Sequence, residues 1–473
     1  MADTQDHQRS AYIWNTAGSM LNAFQSVIML MVLTRVCDMA TAGVFTLAYA
    51  NANLFLNMGS YGMRNYQASD VRPTYGFRAY GRSRLITCVA MVACSFAYLA
   101  WSAASVGYPA GKVAAVALMT LFKGVDSVED VFDGNFQQRG RLDIAGRLMT
   151  ARVGSSILVF AGAVVATRDL VLATGVAFAW TLAFLLAGLA AIRRRHGLPA
   201  RCGDAPEQSP WRLLRECLPL FLAAFLLFYV GNAPKYAIDA LMDDTAQAQY
   251  GFIAMPVFVV GLLAQFVYMP MVEPLSQLWN SGDRKAFVAG FGKQVLIVAG
   301  ITGVCVAGAW LLGVPVLGWL YNTDLSPYRA ELCILVLGGG FLALAQLFTT
   351  GITIMRQQSR LVWGYVAVAA AAALVSRPLV GAWGIAGASA AYIACMAVLA
   401  AWFAALFLRC SRRACAPPEI DRSSAIIVAP PFMGGRNTTT SRREATISKT
   451  AAASYLQPDM QLLRPGRLDL VSA

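Results

Sequence analysis

Apolar segments long enough to cross a lipid bilayer recur twelve times along this chain, and no other feature constrains its fold as strongly. A helix needs about 20 predominantly apolar residues to span roughly 30 Å of hydrocarbon. The recurrence predicts an all-α polytopic membrane protein with twelve transmembrane helices. The segments lie at 12–34, 40–62, 85–107, 113–134, 148–167, 170–192, 213–234, 248–272, 290–312, 332–354, 361–378 and 382–408.

The composition agrees with a chain embedded in a membrane. Hydrophobic residues make up 58% of the sequence and charged residues only 13%, against about 25% in a typical globular domain. The net charge of +13 does not point to nucleic acid, because the basic residues lie between the apolar segments. If the N-terminus is cytoplasmic, the cytoplasmic loops hold most of the Lys and Arg residues. Positive residues mark the cytoplasmic side, so both termini are predicted to be cytoplasmic.

A polar linker divides the chain into two halves of six spans each. It contains "RRRHGLPARCGDAPEQSPW" and follows the sixth span. Because six is even, both halves enter the membrane from the same side, as parallel repeats do. We expect two six-helix bundles around a central cavity, then a disordered, basic tail suited to anionic lipid. The boundaries are 1–11 for the cytoplasmic N-terminus, 12–192 and 213–408 for the bundles, 193–212 for the linker and 409–473 for the tail.

The fourth span carries ionisable groups where hydrocarbon is expected. Its end reads "LFKGVDSVEDVFDGNFQQRGRLD", and Lys123, Asp126, Asp130 and Asp133 share one helical face. Each charge costs about 2.5–3.5 kcal/mol at the bilayer centre. One interpretation is a cavity wall, with Lys123 and Asp126 paired and Glu129 at the border. The other interpretation is that these residues form the solvent-exposed cytoplasmic end of the helix, and we expect this for Asp133.

A second polar stretch, "YVGNAPKYAIDALMDD", lies at the outer end of the seventh span. Pro234 removes a backbone donor and is expected to kink or end the helix. Lys235 and Asp239 are four residues apart and able to pair on one face. The alternative interpretation is an ordinary helix end with a snorkelling lysine.

Cations from both halves give the expected cavity a positive character, which suits an anionic, phosphate-bearing substrate. Arg35 and Arg377 end the first and eleventh spans and have an alternative interpretation as interfacial anchors. The amides of Asn51 and Asn232 are candidates for the same surface, or for hydrogen bonds between helices. The substrate-binding candidates are Arg35, Asn51, Lys123, Asn232, Lys235 and Arg377.

Catalytic and cofactor signatures are absent from the sequence. It has no phosphate-binding Gly-Lys-Ser loop, no His-Glu metal motif and no nucleophile elbow. The ten cysteines are scattered singly, without the spacing of metal ligands. We therefore expect neither enzymatic activity nor a cofactor, and no ATP-driven transport by this chain alone.

Five stretches, in order along the chain, resemble the polysaccharide flippases of the multidrug/oligosaccharidyl-lipid/polysaccharide exporter superfamily. They are "LTRVCDMATAGVFTLAYA", "DVFDGNFQQRGRLDIAGR", "NAPKYAIDALMDDTAQAQYGFIAMP", "GVPVLGWLYN" and "GAWGIAGASAAYI". The resemblance covers roughly residues 11–408. It implies a protein of the bacterial inner membrane that moves a polyprenyl-pyrophosphate-linked oligosaccharide to the outer leaflet by alternating access.

The resemblance also implies transport coupled to a gradient of H⁺ or Na⁺, with Asp126, Glu129, Asp130 and Asp239 as the candidate carboxylates. Glycosyltransferases and a glycan polymerase of the same pathway are the expected partners. One alternative is a multidrug-extrusion antiporter of the same superfamily, although its cationic substrates favour an acidic cavity. The other alternative is a membrane glycan polymerase, which the short outer connections disfavour.

Overall fold

The computed structural model describes residues 2–69, 74–197, 209–357 and 360–413, and the helices found there follow the predicted spans. Most of the predicted linker and nearly all of the predicted tail lie outside the described residues. The helices are α1 (Ala2–Val36), α2 (Met39–Ser60), α3 (Met63–Ser69), α4 (Phe77–Val106), α5 (Ala110–Gln138), α6 (Leu142–Thr167), α7 (Leu170–His196), α8 (Pro210–Leu241), α9 (Asp244–Ala254), α10 (Val257–Tyr268), α11 (Val272–Asn280), α12 (Arg284–Gly308), α13 (Val314–Tyr321), α14 (Arg329–Ile354) and α15 (Leu361–Arg413).

The helices of the described ranges provide twelve passes. Ten helical stretches there are long and apolar enough to cross a membrane. The fourth pass is α5, which has the length but carries too many ionisable residues to be counted among those ten. The last two passes share α15, whose 53 residues leave helical geometry at Gly384 (φ 55°, ψ −129°). The prediction of an all-α polytopic protein with twelve spans is therefore confirmed.

Aspartate caps fix several of the corners between passes. The carboxylate of Asp38 accepts from the Thr41 amide at 3.2 Å, and that of Asp169 accepts from the Val171 amide at 2.7 Å. Such caps satisfy amides that have no partner inside the helix and are worth about 1 kcal/mol each. The bonds to Asp38 lower the pKa of that carboxyl. The two capped corners lie side by side, because Cys37 Sγ is 3.7 Å from the carbonyl oxygen of Arg168.

Pro234 was expected to kink or end the seventh span, and the structure shows that the helix does not end there. Helix α8 continues through Pro219 and Pro234 to Leu241. The missing amide costs one hydrogen bond, and in a packed membrane bundle neighbouring helices compensate for that loss. The eighth span is instead the broken one: α9, α10 and α11 meet at Pro256 and Pro270.

The two halves pack mainly within themselves. In the N-terminal half α1 lies against α6 and α2 against α5, and in the C-terminal half α15 lies against α8 and α14. The halves meet chiefly where α2 packs on α8 and α9, and where α4 packs on α8. Residues that act on a substrate between the halves must therefore come from α2, α4, α8 and their neighbours.

Candidate functional site

The charged face of α5 is buried inside the N-terminal half. Lys123 is 2% exposed, and its Nζ donates to Asp126 at 2.8 Å and to Gln25 Oε1 at 2.7 Å. Arg152 of α6 lies 2.8 Å from Asp126 in an ion pair and donates to Glu129 at 2.8 Å. The predicted Lys123–Asp126 pair is thus present, and it belongs to a larger set of ion pairs.

The same face continues toward the end of α5 through two more carboxylates. Asp130 accepts from Arg84 at 2.6 Å, and Arg64 lies 3.4 Å from Asp133. Asp133 is 2% exposed, so the expectation of a solvated cytoplasmic end is wrong for this residue. The reason is that α3 and α4 pack over α5 there and supply both arginines. We call the eight groups the buried charge network: Arg64, Arg84, Lys123, Asp126, Glu129, Asp130, Asp133 and Arg152.

The buried charge network contains four cations and four carboxylates, so it is formally neutral. Pairing offsets the several kcal/mol that each isolated charge would cost in the interior. Three carboxylate oxygens, Asp126 Oδ1, Glu129 Oε1 and Asp133 Oδ1, nevertheless have no hydrogen-bond partner among the described residues. Buried polar atoms in proteins are normally satisfied. Asp126 Oδ1 lies 2.8 Å from Arg152 in an ion pair, whereas Glu129 Oε1 and Asp133 Oδ1 are able to accept a proton without breaking a contact that the described residues make.

A second ion-pair cluster joins the halves at the ends of α5 and α8. Lys112 Nζ lies 2.7 Å from Asp239 and 2.6 Å from Asp244, and Tyr108 donates its hydroxyl to Asp239. We call Lys112, Tyr108, Asp239 and Asp244 the outer latch, following the predicted orientation. Asp239 therefore does not pair with Lys235, because Lys112 reaches it across the interface.

Arg35 makes another contact between the halves at this end. Its guanidinium donates to the carbonyl of Trp319 at 3.2 Å and lies 5.7 Å from the indole ring. Arg35 is exposed, and it bridges α1 to α13 rather than facing the middle of the membrane. The structure thus separates Arg35 from the other predicted substrate cations.

The polar face of α8 lies directly beneath the outer latch. Tyr229, Asn232, Lys235, Tyr236 and Asp239 fall within an arc of about 120° on a 3.6-residue helix. The rings of Tyr229 and Tyr236 stack with centroids 6.1 Å apart.

Two further polar residues lie on helices that pack against α8. Arg377 is on α15, and Tyr98 is on α4 in the other half. The set therefore includes residues of both halves. We call Tyr98, Tyr229, Asn232, Lys235, Tyr236 and Arg377 the tyrosine–cation cluster.

Lys235 and Arg377 have no carboxylate partner among the described residues. Lys235 is partly accessible, and Arg377 is exposed although it lies well inside α15. The structure therefore places Lys235 on the same face of α8 as Asn232, and Arg377 on a helix that packs against α8, while Lys123 lies apart in the buried charge network.

The predicted amides have different surroundings. Asn232 is partly exposed, and its Nδ2 donates to the Phe228 carbonyl at 3.0 Å, one turn back. Asn51 on α2 is 3% exposed, and its Oδ1 has no hydrogen-bond partner among the described residues. The amide of Asn51 is thus packed between helices, and that of Asn232 lies on the cluster.

Several important residues escaped the sequence prediction. Arg64, Arg84, Lys112 and Arg152 look like loop or span-end cations in the sequence, and only packing shows that they pair with buried carboxylates. A signal was available for Arg152, which lies eleven residues into α6. Tyrosines give no such signal, since Tyr98, Tyr229 and Tyr236 are ordinary residues of apolar spans. Among the described residues no group of His, Cys, Asp and Glu is arranged to hold a metal ion.

Comparison with solved structures identifies the fold. An inward-facing multidrug-resistance transporter of the MATE family, in the MOP superfamily, aligns with a TM-score of 0.61 at 12% identity, covering 86% of this chain and 98% of that one. The lipid II flippase MurJ, in an inward closed conformation, aligns with a TM-score of 0.61 at 11% identity, covering 86% and 90%. No protein-family model and no curated protein sequence matches the chain.

An outward-facing MATE transporter aligns less well, with a TM-score of 0.52 at 13% identity, covering 86% and 95%. At these identities the likeness establishes the fold alone. The chain has the fold shared by MATE transporters and MurJ, and it is a multi-pass membrane protein.

Proposed function

We propose that this protein is a flippase that moves polyprenyl-pyrophosphate-linked oligosaccharide units from the inner to the outer leaflet, for the biosynthesis of a cell-surface polysaccharide. The observation that carries the proposal is that the tyrosine–cation cluster contains two cations without a carboxylate partner among the described residues. Lys235 and Arg377 have no carboxylate partner in the described part of the chain, whereas the carboxylates of the buried charge network and of the outer latch are each paired with a cation. A ligand bound at the cluster therefore meets a positive surface.

Electrostatics favours a pyrophosphate at this surface. A hydrogen bond between two charged groups contributes about 1.5–3 kcal/mol, and an arginine presents two donors to neighbouring phosphate oxygens. The buried charge network does not compete for the ligand, because its four cations already bind four carboxylates. Since both halves contribute to the cluster, rocking them about the bound ligand exposes it to either leaflet in turn.

Multidrug antiport is the second candidate, because a MATE transporter matches the fold as well as MurJ does. A cationic drug would have to bind beside Lys235 and Arg377. Like charges a few ångströms apart repel by about 4 kcal/mol at an effective dielectric of 20. The charge balance therefore favours the anionic substrate over the cationic one.

We propose further that the transport cycle is coupled to H⁺ or Na⁺ through the carboxylates of the two ion-pair clusters. All four candidates bind a cation, which is Arg152 in the case of Glu129. Glu129 is the best placed of the four because its Oε1 is buried with neither a hydrogen-bond partner nor an ion-pair partner among the described residues, whereas the unbonded oxygen of Asp126 lies 2.8 Å from Arg152. In the cell, glycosyltransferases would supply the substrate, and a glycan polymerase would consume it.

Reconstitution into proteoliposomes tests the proposal directly. One set of vesicles receives a fluorescent polyprenyl-pyrophosphate glycan, and a second set receives the cationic dye ethidium. We expect the wild-type protein to move the glycolipid across the bilayer and to leave ethidium efflux at the level of empty vesicles. The double variant Lys235→Gln/Arg377→Gln is expected to lose glycolipid movement, whereas Lys285→Gln, at an exposed site, retains it. Ethidium efflux without glycolipid movement would instead establish the multidrug alternative.

A further inference from the structure

The tyrosines of the tyrosine–cation cluster are placed as a ligand surface rather than as packing residues. Tyr229 and Tyr236 are two helical turns apart and stack on the same face of α8. The hydroxyl of Tyr236 is buried and has no hydrogen-bond partner among the described residues. Leaving a buried hydroxyl unsatisfied costs about 1–3 kcal/mol, so a ligand that bonds to it recovers that energy.

Tyr98 completes the surface from the other half. Among the described residues its ring contacts are with Phe55 and Trp101, on its own half of the protein. Tyr98 lies on α4, which packs on α8, but it makes no ring contact with Tyr229 or Tyr236 among the described residues. Part of each of the three side chains is accessible, so together they form an aromatic surface with contributions from both halves.

We propose that this aromatic surface is the sugar-binding subsite of the transporter, at which the tyrosines hold the first sugar beside the pyrophosphate. The inference rests on the proposed function and assigns one part of the substrate to one part of the cluster.

The chemistry of the cluster distinguishes a sugar from other ligands. A sugar ring has an apolar C–H face that packs on aromatic rings and hydroxyls that bond to phenols and amides. Phosphate oxygens need cations, which Lys235 and Arg377 supply, and gain little from a ring face. An isoprenoid chain would leave the Tyr236 hydroxyl and the Asn232 amide without partners. Only a ligand that carries a sugar next to a phosphate group uses the aromatic rings, the hydroxyls and the cations together.

The test compares binding of a carrier with and without its sugar. The probes are polyprenyl pyrophosphate and the same carrier linked to a neutral hexose, an N-acetylhexosamine or a hexuronic acid. Dissociation constants are measured on purified full-length protein in lipid nanodiscs. We expect at least one glycosylated carrier to bind the wild-type protein about tenfold more tightly than the bare carrier, the size of effect that a buried aromatic contact gives.

Variants assign this preference to the tyrosines. Tyr229→Ala is expected to reduce the preference to about one while changing the affinity for the bare carrier less than twofold. Tyr236→Phe keeps the ring and is expected to lose part of the preference. Arg377→Gln is expected to weaken binding of all probes equally. Tyr12→Ala, at an exposed tyrosine of α1, is the matched control, and the thermal midpoint of each variant shows that it is folded.

The possible outcomes separate the inference from the function. If the wild-type protein binds the bare carrier but no glycosylated carrier more tightly, the sugar subsite is wrong and the flippase proposal stands. The same conclusion holds if Tyr229→Ala weakens the bare and glycosylated carriers equally. If the wild-type protein binds none of the probes, the flippase proposal itself fails.

Discussion

Replacing Lys112 with alanine is expected to open the outer end of the protein. Lys112 is 7% exposed and holds two carboxylates of the other half, at 2.7 Å and 2.6 Å. Without the ammonium group, Asp239 and Asp244 face each other across the closed interface without a cation. In the open state both carboxylates reach water, so the substitution penalises the closed state alone.

The magnitude follows from the two bonds that are lost. Each bond between charged groups contributes about 1.5–3 kcal/mol, and breaking a buried ion pair by removing one partner costs about 3–5 kcal/mol. Since about 1.4 kcal/mol changes an equilibrium constant tenfold, 3–5 kcal/mol shifts the ratio of open to closed protein by a factor on the order of 10²–10³. A protein that is almost entirely closed would then show a measurable open population.

Distance measurements between spin labels detect this shift. Val106 at the end of α4 and Leu241 at the end of α8 are exposed, belong to different halves and are suited to labelling in a cysteine-free background. Lys112→Ala should add a longer distance to the distribution. Lys285→Ala removes an exposed lysine elsewhere and should leave the distribution unchanged.

A triple variant separates loss of the lysine from exposure of the two carboxylates. Lys112→Met combined with Asp239→Asn and Asp244→Asn removes the charges together and should recover much of the closed population, because no buried charge is left unpaired. If Lys112→Ala leaves the Val106–Leu241 distance distribution identical to that of the wild type, the outer latch does not hold the halves together and the reasoning above is wrong.

Three further predictions concern the closure and the buried charge network. Gly43→Val should also favour the open state, because a Cβ at Gly43 would lie 1.7 Å from the Asp244 carbonyl oxygen in the closed state. The spin-label measurement detects this, and Gly81→Val is its control, since a Cβ at Gly81 meets no atom within 4 Å. Arg152→Met should destabilise the fold by about 3–5 kcal/mol because it leaves Asp126 and Glu129 without their shared cation; thermal unfolding in detergent measures this. Glu129→Gln should abolish the dependence of glycolipid movement on an ion gradient, and unchanged dependence in proteoliposomes would remove Glu129 as the coupling group.

The sequence was sufficient for the spans because the bilayer imposes a length and a polarity on every crossing helix. The twelve predicted segments correspond to twelve passes, and the long α15 divides at Gly384 between the last two. Pro234 shows the limit of local rules: proline opposes a helix in isolation, but α8 is held by its neighbours and continues to Leu241. At that position, contacts with neighbouring helices outweigh the low helix propensity of proline.

The pairing of the charges was decided by tertiary structure alone. Helical spacing predicted the Lys123–Asp126 pair, since both residues lie on one helix, one turn apart. No spacing rule connects Lys112 to Asp239 or Arg152 to Glu129, because those partners come from different helices whose rotation depends on the whole bundle. The sequence by itself determined that the chain crosses the membrane and that its interior carries charge. Only the packing of the helices decided which charges neutralise each other and which, at Lys235 and Arg377, have no carboxylate partner in the part of the chain that the structure describes.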